Sequence, residues 1–199
     1  WSYEDLHIGI QGIEVWTTIL FAMSGGDAAL DWWNGFLSRG RTVFAIGGSD
    51  LHVSSLYVLK PCNYVLATSN DPDAIQDGLE AGRIAISSSE VGGQCLIWAD
   101  ADNDGTYESP MGSNITVTDS RLLRFRVEVY GGTGLSLTVI TKDGRQPART
   151  VGDGAPWAVD FEAQVSADTK DFIRAELETG DPGYPMEAVA NPIYVNFTP

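Results

Sequence analysis

Two stretches of this chain carry residue types at spacings suited to chemistry. The first is Gly47-Gly48-Ser49-Asp50-Leu51-His52. Asp50 and His52 are two apart, and in extended backbone that spacing turns both side chains to one face. A carboxylate beside an imidazole at the carboxyl end of a buried strand can be a pair of metal ligands. A polar strand exit with a solvated His reads the same way. The second stretch is Asp100-Ala101-Asp102-Asn103-Asp104-Gly105. Alternating carboxylates can converge on one Ca²⁺, and the Gly allows a sharp turn around it. Thr106 would offer its carbonyl at the seventh place, and Glu108 falls at the ninth. The twelfth place is Met111, not the bidentate Glu of an EF-hand, and the flanks read as strands. That leaves a calcium loop on a β-hairpin, or an acidic hairpin turn, since Asp104-Gly105 is a favoured turn pair.

Other chemistries find little support. There is no Gly-x-Ser-x-Gly elbow and no P-loop. Ser49 and His52 lie too close along the chain to meet as nucleophile and base. Cys62 and Cys95 allow one disulfide but no disulfide framework, and Cys62 reads as a structural thiol. His7 reads as a surface residue, and Glu14 as pointing outward from a short strand.

These candidates must be held by elements that the sequence punctuates clearly. Ile13–Trp16 reads as a strand. Ala29, Leu30, Trp33, Phe36 and Leu37 have helical spacing, and Gly40 supplies the stop. Thr42–Ile46 is the next strand, so strand, helix, strand implies parallel pairing with a right-handed crossover. Residues 63–67 form another strand. Asn70-Asp71-Pro72-Asp73 opens a second helix, which runs to Gly82. Residues 84–87 are again a strand. From about residue 93 helical periodicity stops. Short β-rich runs follow at 94–99, 114–118, 122–130, 135–141, 157–165, 170–178 and 188–196, as in an antiparallel β-sandwich. The expected domain boundary lies near residue 92, giving an α/β unit over 1–92 and a β unit over 93–199.

Composition narrows the partners. The 199 residues include 12 basic and 27 acidic ones, for a net charge of −15. That disfavours nucleic acid and anionic membrane as partners and suits a protein that binds cations. No apolar run is long enough to span a membrane. A soluble protein is expected, with an extracytoplasmic location left open. No signal peptide is visible, and Trp1 in place of Met suggests a processed product or a fragment.

Gly12–Trp16, Phe36–Gly40, Ala45–His52, Tyr64-Val65, Ala74-Ile75 with Ala81–Arg83, Phe172–Ala175 and Asn191–Val195 form an ordered series. Together they resemble a PHP-domain metal-dependent hydrolase, of the carbaryl hydrolase-like branch of the polymerase and histidinol phosphatase superfamily. The resemblance implies the C-terminal segment of a (β/α)7-type barrel followed by a β-rich domain. It implies that Asp50 and His52 are the last ligands of a site for divalent Zn, Mn or Fe, and that the parent is a phosphoesterase-like hydrolase of a small molecule. The family's earlier ligands would lie upstream of Trp1, so this chain alone is expected to be inactive. A cut barrel would also leave Trp32, Trp33, Phe36 and Leu37 uncovered, to be masked by self-association or by the retained N-terminal part. The reading from another class is a non-catalytic β-domain fragment that binds Ca²⁺ or a partner.

Overall fold

The computed structural model describes residues 9–17, 26–49, 60–181 and 185–197. Three layers stack. The first is a strand–helix–strand unit: β1 (Gly12–Thr17), α1 (Gly26–Ser38) and β2 (Phe44–Gly48), with β1 and β2 parallel. This is the pairing that the helical spacing of Leu30, Trp33 and Leu37 between two apolar runs predicts. The second layer is a large sheet. It contains β3 (Cys62–Val65), β4 (Ile84–Ser87), β7 (Asn114–Ile115), β9 (Ser136–Thr141), β10 (Gly144–Arg145), β11 (Arg149–Thr150), β13 (Asp171–Glu178) and β14 (Met186–Val195). Its main path runs β10-β9-β13-β14-β4-β3. The third layer is a four-stranded antiparallel sheet in the order β12-β8-β5-β6, made of β5 (Gln94–Asp100), β6 (Ser109–Pro110), β8 (Arg121–Tyr130) and β12 (Trp157–Val165). A second helix, α2 (Pro72–Glu80), connects β3 to β4.

Burial explains the sequence pattern of each strand. β8 shows solvent on one face only, so Leu123, Phe125, Val127 and Val129 alternate with Arg124, Arg126 and Glu128. β13 and β14 are covered on both faces and lose that alternation. One face of β13 and β14 meets the inner face of β5 and β8 in a core that includes Ile97, Phe125, Ile173 and Ala190. The other face carries Phe172, Val189 and Tyr194 against Trp33, Phe36 and Leu37 of α1. The helix face expected to lie bare is therefore covered within the chain, and Trp33 is fully buried.

The described residues form no (β/α)7-type barrel, and the resemblance to a PHP hydrolase fails with it. The described residues build mostly antiparallel sheets with two helices. Two local features account for this. First, among the described residues β2 has no second parallel neighbour. The Asn191 amide takes that place, accepting from Ala45 N–H at 2.6 Å and donating to Ala45 O and Ile84 O. Asn63 does the same for Gly47 N–H and O. Amide side chains thus satisfy backbone groups that a barrel strand would need. Second, β3 and β4 run antiparallel although a helix joins them, and β4 pairs onto β14. The sheet accordingly joins strands from both sides of residue 92.

A buried ion network stitches α1 to the large sheet. Arg174 lies over the Trp33 ring at 4.7 Å and donates through Nε and Nη2 to Asn34 Oδ1. Its Nη1 donates to Glu176, whose other oxygen accepts from Arg145. Burial alone would raise the Glu176 carboxyl, but Arg174 and Arg145 outweigh it and hold the group below the usual carboxylate range.

Candidate metal site

The acidic stretch sits where β5 leaves the four-stranded sheet to turn into β6. β5 pairs with β6 through Trp98↔Pro110 and Ala99↔Ser109, so the residues between Asp100 and Ser109 form a hairpin loop. Asp100 is the last residue of β5, opposite Arg124 of β8, and it is fully buried. Asp102, Asp104 and Glu108 are exposed.

The loop is wound by its own carboxylates. Asp100 Oδ2 accepts from Gly105 N–H at 2.9 Å. Asp102 Oδ1 accepts from Asp104 N–H at 3.1 Å, and Asp104 Oδ1 from Thr106 N–H at 2.7 Å. Glu108 Oε1 accepts from Ala101 N–H at 3.0 Å and closes the circuit. Gly105 has φ +95, a conformation that side-chain-bearing residues rarely adopt, and this is the turn its position demanded. Outside contacts fix the loop to β8: Asn103 Nδ2 donates to Leu122 O, and Arg121 Nη2 to Ala101 O.

The result gathers four carboxylates. One oxygen from each of Asp100, Asp102, Asp104 and Glu108 lies within 4.8 Å of the others. Asp100 Oδ1 is buried and has no hydrogen-bond partner. A buried carboxylate oxygen left without a donor costs free energy, and like charges this close repel. A divalent cation would relieve both. The donors are all hard oxygens, the set that Ca²⁺ takes in a flexible shell, and not the nitrogen and sulfur donors typical of zinc. Met111, in the twelfth place, is buried in the core between the sheets, so the EF-hand's closing ligand has no counterpart there. Thr106 is exposed, with its N–H committed to Asp104.

The remaining candidates divide differently. Asp50, His52 and His7 lie outside the described residues. Glu14 is exposed on β1, with its carboxylate against Gly48. Cys62 and Cys95 form no disulfide. Cys95 is buried beneath Ala175 O, and burial pushes its thiol up to about 12, which leaves no reactive thiolate near neutral pH. Among the described residues the acidic hairpin is the group of carboxylate, imidazole or thiol side chains close enough together to hold a metal ion. What the sequence did not reveal was the burial of Asp100, because the alternation of β5 breaks only at its last residue.

Comparison with known proteins adds a single finding. No family model and no curated protein matches the chain. Among solved structures, it is similar to the solution NMR structure of a CARDB domain from Pyrococcus furiosus. The match has 10% identity and a TM-score of 0.32, and covers 54% of this chain and 98% of that one. Among the described residues no helix is long and apolar enough to cross a membrane.

Proposed function

We propose that this chain is a non-catalytic β-domain that binds Ca²⁺ in the hairpin loop 100–108. The observation that carries the reading is Asp100. It is a fully buried carboxylate with one oxygen unpartnered, set among three further carboxylates within 4.8 Å. In this reading Asp100, Asp102, Asp104 and Glu108 supply carboxylate oxygens, Thr106 supplies its carbonyl, and water completes the shell.

The role of the ion is structural. The loop is otherwise held by single hydrogen bonds: its carboxylates accept from its own backbone N–H groups, and Asn103 and Arg121 tie it to β8, each bond worth little against water. Cross-linking four of its residues through one cation holds the β5–β6 turn closed, and binding to the folded state alone adds stability that grows with the logarithm of free Ca²⁺ above the dissociation constant. Terbium offers a direct test, since Tb³⁺ replaces Ca²⁺ at oxygen sites and is excited by a nearby indole. Trp98 is two residues from Asp100 on the same strand. Sensitised emission that Ca²⁺ displaces, and that Asp102→Ala abolishes, is the expected result. Emission insensitive to Asp102→Ala would place the ion elsewhere.

A further inference from the structure

A cleft of about 500 Å³ opens between the two sheets beside β12. Its walls are apolar. Val159, Phe161 and Ala163 of β12 are half-buried and line it together with Leu137 and Val139 of β9. Small-molecule sites span roughly 300–1,000 Å³ and combine such walls with a few polar groups that fix orientation.

One polar group of that kind is present. Asp171 opens β13 and lines the cleft. Alternation along the strand turns it to the side of Ile173, in the core between the sheets, and away from Phe172, which packs towards α1. It is only 3% exposed. Its Oδ1 accepts two backbone N–H groups, from Lys142 at 3.1 Å and from Phe172 at 2.7 Å. Among the described residues nothing donates to Oδ2, and no cation pairs with the carboxylate. Burial raises the carboxyl above its ordinary range, and the two N–H groups only partly offset this.

The other charges at the cleft are spent or distant. Lys142 gives its ammonium to Asp143 at 3.1 Å. Glu162 has Arg124 at 3.6 Å. Arg149 is exposed on β11 opposite Leu137, four residues before Thr141 on β9, or about 13 Å along the strand. The bond from Lys142 N–H holds Asp171 at the Thr141 end, so Arg149 stands at the far end of the cleft. Asp171 is thus the buried carboxylate of the cleft that lacks a counter-charge. A metal ion would have to shed water against apolar walls for a single charged ligand. An organic ammonium offers both an N–H for Oδ2, in a charge-assisted hydrogen bond, and an apolar body for the walls.

We propose that the cleft binds a small organic amine, with its ammonium on Asp171 Oδ2 and its apolar body between Val139, Val159 and Phe161. The cleft shares no residue with the acidic loop, so this inference stands independently of the calcium reading.

The probe is 2-phenylethylamine, titrated into the full chain and followed by amide chemical shifts. Saturable shifts on residues 137–143, 159–163 and 171–173 are expected. Two analogues isolate the charge: 2-phenylethanol removes it and 3-phenylpropanoate reverses it. The alcohol should bind roughly tenfold or more weakly than the amine, and the carboxylate more weakly still. Asp171→Asn keeps Oδ1 for the two N–H groups, so it should fold, weaken the amine by a similar factor and leave the alcohol unchanged. Ala163→Phe leaves Asp171 in place but sets a ring in the cleft, and should block amine and alcohol alike. If Asp171→Asn does not fold, the analogues and Ala163→Phe still decide. Equal binding of amine and alcohol, or equal amine binding by wild type and Asp171→Asn, would overturn the proposal. So would tighter binding of the carboxylate, or no saturable binding of the amine. Shifts spread over the acidic surface without saturation would show attraction by the net charge of −15 alone, and would overturn it too.

Discussion

Asp100 Oδ2 accepts the Gly105 N–H at 2.9 Å, so the first carboxylate of the loop also closes it. The same side chain is fully buried and turns its second oxygen to no donor. One residue therefore sets the shape of the hairpin and holds the buried, unpartnered oxygen on which the calcium proposal rests.

Charge neutralisation at Asp104 should separate these two roles. The substitution Asp104→Asn could keep an oxygen for Thr106 N–H, since Asp104 uses only Oδ1 there. In a chelator, Asp104→Asn should melt at or slightly above the wild-type temperature, because one of four clustered charges is gone, a gain of about 0.5 kcal/mol for an exposed group. In Ca²⁺ the order should reverse. Thermal melts of both proteins with EDTA and with Ca²⁺ check this, and a variant that melts lower in both would mean the carboxylate serves only the turn.

The Arg174–Glu176 pair predicts non-additive substitutions. Both side chains are buried, and each is satisfied by the other together with Asn34 and Arg145. Glu176→Ala strands Arg174 in the interior, at a cost of about 3–5 kcal/mol. The double variant Arg174→Met with Glu176→Leu removes both charges and should be more stable than Glu176→Ala. Urea unfolding of the three proteins measures this. Equal destabilisation by single and double variants would contradict it.

Two carboxylates predict opposite responses to pH. Glu176 is held below its ordinary 4.5, so its contribution is present above that value and is lost as pH falls through the folded one. Asp171 is raised above its ordinary 3.8 by burial, only partly offset by the backbone N–H groups of Lys142 and Phe172. Its effect is reversed: favourable below 3.8, lost as pH rises through its folded value, and a cost at neutral pH. Both N–H groups reach Asp171 Oδ1, which an amide retains. Asp171→Asn should therefore be at least as stable as wild type at pH 7 and gain less on acidification towards pH 5. Stability curves against pH, recorded in EDTA, test the sign.

Asn191 carries a fourth prediction. Asn191→Ala would orphan Ala45 N–H and remove a donor from two buried carbonyls, Ala45 O and Ile84 O. A loss of roughly 2–4 kcal/mol is expected, with β1, α1 and β2 exchanging amide protons faster than the sandwich. Uniform exchange across all three layers would show that the amide does not hold the strand–helix–strand unit in place.

Local patterns in the sequence were easy to read, and distant pairings were not. The helical spacing of Leu30, Trp33 and Leu37 and the alternation of Phe125, Val127 and Val129 are local, and the elements appear where that spacing puts them. The strand at 157–165 has the same bounds in the structure. The barrel expectation failed on contacts that no local pattern encodes. Asn191 lies 146 residues from Ala45, and its amide, not a strand, completes β2. β4 pairs with β14, more than a hundred residues later in the chain. Alternating β and α runs give the type of each element but not the direction of pairing, so the parallel array they suggest is not the one β3 and β4 form. The acidic loop was legible because its chemistry is contained in nine consecutive residues, 100–108. Its buried member was not, because burial of Asp100 depends on β8 lying alongside.

The central claim is tested most directly by calorimetric titration of Ca²⁺ into the chelator-treated chain, alongside Asp100→Asn. Asparagine keeps an acceptor for Gly105 N–H, so the loop can still close, but the buried charge is gone. One Ca²⁺ per chain, bound by wild type and at least about tenfold more weakly by Asp100→Asn, is the predicted result. No Ca²⁺ heat from the wild-type chain, or equal binding by both proteins, would contradict the account and leave the hairpin as an acidic turn.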